Sequence, residues 1–96
     1  MNEREIERRK RYEERMQRLF EQMLEKNNIK LVEDKGHRIY LEYQKVEFQL
    51  IVNEDWDSWK KHYQVMILES GKTLATRCRL EVAIAKAKKY IESRGE

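Results

Sequence analysis

The 96 residues are 40% hydrophobic and 41% charged, which allows one small domain with a single modest core and excludes a wholly disordered chain. Twenty-one basic residues against 18 acidic ones leave a net charge of only +3, so any basic patch must come from arrangement and not from bulk excess. The lone cysteine, Cys78, excludes an internal disulfide, and nothing reads as a signal peptide or membrane span, so cytoplasmic residence is the expectation.

The spacing predicts one charged N-terminal helix over residues 1–28, partly projecting, with stop residues at Asn27 and Asn28. Tyr12, Met16, Leu19, Phe20, Met23 and Leu24 form its apolar stripe, at the spacing by which a helix buries one face. The stripe fills only the second half, so the first turns are expected to stand clear of the body. Arg4, Arg8, Arg11, Arg15 and Arg18 recur every three or four residues, which lines them along one helix face over roughly 21 Å at 1.5 Å per residue. Beside them run Glu3, Glu7, Glu14, Glu21 and Glu25. Glu5–Arg9, Glu7–Arg11 and Glu14–Arg18 are four apart in the favoured orientation, each pair contributing about 0.2–0.5 kcal/mol.

An antiparallel sheet of three to five strands is expected over residues 29–76. Ile29–Glu33 is a short apolar run, closed by the turn residues Asp34-Lys35-Gly36-His37. Ile39, Leu41 and Tyr43 alternate on odd positions, whereas Val46, Phe48, Leu50 and Val52 alternate on even ones. That parity change makes Gln44-Lys45 either a tight hairpin or a bulge in one longer strand. An acidic loop follows over residues 53–58, then a strand over residues 62–69. Ser70-Gly71 reads as a two-residue turn into residues 72–76. Residues 77–94 are expected to form a C-terminal helix on the sheet, burying Leu80, Ala83, Ile84, Ala87, Tyr90 and Ile91. The fold class is therefore α+β.

Four groups of residues bear on function. The five arginines suit a row of phosphates or carboxylates, because guanidinium offers planar two-point hydrogen bonding; a solvated, salt-bridged helix is the plainer alternative. Arg77, Arg79, Lys86 and Lys89 form a second basic group on the C-terminal helix. The two groups can serve one polyanion only if both helices lie on the same side of the sheet. Trp56 and Trp59 flank the acidic loop and are candidate apolar anchors for a protein partner, or else close the core. His37, His62 and Cys78 make no catalytic constellation in sequence, and Asn53, Asp55 and Asp57 open a calcium-loop spacing that Ser58 and Gln64 then break. No enzyme activity, cofactor or metal is expected.

The segment Tyr63–Tyr90, a strand, the turn Ser70-Gly71 and then Arg77, Arg79, Ala83 and Ala87, resembles the double-stranded RNA-binding domain in outline. That family presents adjacent lysines where this chain has Arg77-Cys78-Arg79-Leu80. The short, proline-free, charge-dense character is also similar to that of small bacteriophage proteins that block host machinery, anti-CRISPR proteins included. The expectation is a non-enzymatic inhibitor or regulator docking on a nucleic-acid-handling protein. Direct RNA or DNA binding is the alternative, and a homodimer with antiparallel N-terminal helices is the third reading.

Overall fold

The computed structural model describes residues 2–56 and 60–94. Helix α1 (Glu3–Lys26) is followed by five strands, β1 (Lys30–Asp34), β2 (Arg38–Tyr43), β3 (Val46–Glu54), β4 (Lys61–Ile67) and β5 (Thr73–Cys78), and then by α2 (Leu80–Arg94). The strands pair antiparallel in sequence order, β1-β2-β3-β4-β5. This is the expected α+β architecture, with the strand count at the upper end of the expected range.

Both helices bury their apolar sides in one cluster on one face of the sheet. From the sheet come Ile39, Leu41, Tyr43, Phe48, Leu50, Val52, Tyr63, Val65 and Ile67; α2 adds Leu80, Ala83, Ile84, Ala87 and Ile91. Strand alternation explains the set, since Leu41 pairs with Phe48, which pairs with Ile67, and Ile39 with Leu50, which pairs with Val65. Ala83 and Ala87 are fully buried, and their small side chains let α2 lie close on β4 and β5. Phe20 is the only α1 residue buried to this degree, at 7% exposure; Met16, Leu19, Met23 and Leu24 pack half-buried around it.

The ends of α1 follow from its asparagines. Asn2 accepts the Glu5 backbone N–H on its Oδ1 at 2.9 Å, a helix cap, while Asn27 donates from Nδ2 to the Met23 carbonyl at 2.7 Å. Residues 2–8 are all exposed, Ile6 at 53%, so the first turns stand clear of the core as the short stripe predicts.

Gln44-Lys45 is a two-residue hairpin turn: Tyr43 pairs with Val46, and both turn residues take positive φ (49° and 66°). Two inward-facing alternating strands, offset by one residue, hold this turn although neither side chain favours it. Other boundaries differ from the sequence expectation. β3 runs on through Asn53 and Glu54, so the loop to β4 starts only at Asp55. β4 ends at Ile67, and the next turn is longer than Ser70-Gly71: the Ile67 N–H donates to Lys72 O and the Gly71 N–H to Ile67 O. α2 begins at Leu80, because residues 77 and 78 belong to β5. There Cys78 pairs with Tyr63, and the register slips past an Arg77 of φ 49°, a bulge in the edge strand.

The other sheet face carries Tyr40, Ile51, Gln64 and Met66, all half-buried, around Gln49. Gln49 is only 3% exposed, and its Nε2 has no hydrogen-bond partner among the described residues. Nothing in the sequence pattern singles it out, because a polar residue on an even-odd alternation reads as solvent-facing.

Candidate functional site

Arg4, Arg8, Arg11, Arg15 and Arg18 are all exposed on α1. Among the described residues none of the five forms an ion pair, and none of the three expected Glu–Arg pairs is made. Arg9 instead takes Glu13 at 3.3 Å and reaches across to Glu54 on β3 at 3.5 Å. The reason is geometric: Arg9 leans toward the sheet side of the helix, where Glu54 stands. The five arginines of the row, unpaired among the described residues, keep their donors for solvent or a partner.

The middle of α1 is fastened to the end of β4. The Tyr12 hydroxyl oxygen accepts the Lys61 backbone N–H at 2.9 Å. This contact makes one wall of a cleft of about 470 Å³ closed by the start of α2, and Arg15, Lys60, Lys61 and Arg79 all line it. Four cations thus come together from α1, from the first residue of β4 and the one before it, and from the link between β5 and α2. Glu81 is the only carboxylate on this wall among the described residues. The helix macrodipole places partial positive charge at the start of α2, adding to the same sign.

Both helices lie on one side of the sheet, which meets the geometric condition for joining the two basic groups, but only in part. Arg15 and Arg79 share the cleft. Arg77 is exposed on the β5 bulge, Lys86 is exposed further along α2, and Lys89 lines a different groove between α1 and α2 with Met23 and Asn27. Lys60 and Lys61 were the cleft residues missed from sequence; a Lys-Lys pair after a loop carries no periodic signal.

At the rim of this cleft, the Asp55 N–H donates to the Lys60 carbonyl at 3.0 Å, and Asp55 Oδ2 lies 2.9 Å from His62 Nε2. Trp56, next in the chain, is 97% exposed and so does not close the core. Trp59, the other candidate anchor, lies outside the described residues, as do Asp57 and Ser58 of the would-be calcium loop.

Beneath the cleft, burial pushes the Tyr63 phenol up to about 12, with Tyr12 and Glu81 nearby adding to the effect. Burial likewise raises the Cys78 thiol, which donates from Sγ to the Tyr63 carbonyl at 3.2 Å. A half-buried thiol raised in this way is a poor nucleophile. On the far side of the body, the Tyr43 hydroxyl donates to Glu92 at 2.6 Å, the main cause of its own raised pKa. Among the described residues no group of three or more His, Cys, Asp or Glu could hold a metal ion, and no helix is long and apolar enough to cross a membrane.

The chain matches no protein-family model, no curated protein and no solved structure.

Proposed function

We propose that this chain is a small non-enzymatic binding protein, an inhibitor or regulator that docks on nucleic-acid-handling machinery through a basic edge. The observation that carries the reading is the absence, among the described residues, of any ion pair on the arginine row, together with its continuation at Arg15 into the four-cation cleft. A solvated, salt-bridged helix would spend its arginines on its own glutamates; here Arg9 alone on α1 does so among the described residues. The near-zero net charge of the helix limits its long-range field, so the edge acts at short range against a matched anionic surface. Trp56, almost wholly exposed in the loop after β3, supplies an apolar anchor of the kind enriched at binding hot spots.

The test is capture from cells expressing the chain, with and without nuclease, comparing the native protein with the Arg4→Glu/Arg8→Glu/Arg11→Glu variant. Nucleic-acid-handling proteins retained by the native chain and lost on charge reversal support the reading. An identical catch from both rules it out.

A further inference from the structure

We infer that the cleft between α1, β4 and α2 binds the phosphate backbone of single-stranded nucleic acid, with Trp56 stacking on a base at its rim. The inference rests on the reading of the basic edge as the docking surface and names what one part of that edge holds.

Three observations carry it. First, the cations converge in a concavity and are not spread on a convex face: Arg15, Lys60, Lys61 and Arg79 line one space of about 470 Å³, which falls within the range of sites that hold a small ligand and suits about one nucleotide. None of the four forms an ion pair among the described residues. Second, the acids at the loop stem are already engaged, Glu54 by Arg9 and Asp55 by His62. Among the described residues Glu81 is the one carboxylate that lines the cleft, against its four cations. Third, Trp56 stands next in chain to Asp55, whose His62 partner lines the same cleft, and its side chain is almost wholly exposed.

A phosphate-binding groove flanked by an aromatic face is the combination that holds unpaired strands, since every base offers a π-face and every nucleotide a charge. A duplex would meet this concavity through a single phosphate row and keep its base faces stacked away from the tryptophan. An acidic peptide would satisfy the cations and leave the indole without a planar partner.

Fluorescence anisotropy of a labelled 15-nucleotide polythymidine strand, titrated with the full chain at several salt concentrations, tests this. Four phosphate contacts at about 0.7 per contact predict a slope of log affinity against log salt near −3. The Arg15→Ala/Arg79→Ala variant should halve that slope and weaken binding roughly 25-fold at 0.1 M salt, the value of two lost contacts extrapolated from 1 M. Trp56→Ala should weaken it about tenfold at unchanged slope. Arg77→Ala/Lys86→Ala, outside the cleft, should change neither, and thermal melts of all variants show which are folded.

No binding at 20 mM salt overturns the proposal. So does a duplex of mixed sequence that binds as tightly as the strand, polyglutamate that competes on equal terms, or an equal loss from the Arg77/Lys86 variant. Retained protein capture with absent strand binding sinks this inference alone; an identical capture before and after reversing Arg4, Arg8 and Arg11 sinks the docking reading on which it stands.

Discussion

Truncating Phe20 to alanine should loosen the binding edge from the body, although Phe20 does not itself line the four-cation cleft. α1 is 24 residues long, yet among the described residues Phe20 is its only side chain buried to the level of the sheet core. Removing a buried phenylalanine costs about 3–5 kcal/mol, depending on how far the surroundings refill the space. Met16 and Met23 lie half-buried on either side and are flexible enough to fill part of it, which places the cost near 3 kcal/mol. A chain of this size has roughly 5–14 kcal/mol of stability, so the variant still folds. Its Tm should fall by roughly 12–24 °C, at about 4–8 °C per kcal/mol. Urea unfolding followed by far-UV circular dichroism measures the loss, and Ile6→Ala, on the projecting turns, should stay within about 0.5 kcal/mol of the native protein. Strand affinity should fall in Phe20→Ala as well, because Arg15 loses its register with Arg79. A cost below 1 kcal/mol would refute the reasoning, since α1 would then be held by something other than its buried stripe.

Other perturbations reach the rest of the fold. Gln49→Met should stabilise the protein by about 1–2 kcal/mol in urea unfolding, because it removes a buried amide nitrogen with no partner while keeping the side-chain shape; a loss would mean that the amide is paired in solution. Gln44→Asn combined with Lys45→Gly should add about 1 kcal/mol, since these residues accept the positive φ values that the β2–β3 turn demands. Tyr63, with a folded pKa near 12 against 10.0 unfolded, contributes stability that is complete below pH 10. That contribution is lost as the pH rises toward 12, because the unfolded state releases its proton first. Melting temperature measured from pH 9 to 12 should fall more steeply in the native protein than in Tyr63→Phe.

Much of the fold was legible because burial is written as period. The α1 stripe, the opposed parities of β2 and β3, and the alanine-lined face of α2 each specify which side turns inward. The β2–β3 parity change left hairpin and bulge open, since Gln44-Lys45 lacks turn chemistry; register with the core, seen only in three dimensions, decided for the hairpin. The start of α2 was placed three residues early because Arg77-Cys78 continues the helical spacing, whereas pairing of Cys78 with Tyr63 claims it for β5. At the site, the arginine row was visible from its spacing, but its freedom from the neighbouring glutamates was not. Pairing depends on rotamers and on what lies across the fold, as Arg9 and Glu54 illustrate. The cleft itself could not be read from sequence. It needs Lys60 and Lys61 brought beside Arg15 by the Tyr12 hydrogen bond, across 49 positions of chain.

The most direct test of the basic edge is a chemical-shift map. Titrating the isotopically labelled chain with an unlabelled single-stranded oligonucleotide at low salt should shift Arg15, Lys60, Lys61, Arg79 and the Trp56 indole together, with a smaller response along Arg8 and Arg11. Shifts centred instead on Tyr40, Ile51 and Met66, across the sheet from both helices, would contradict the account.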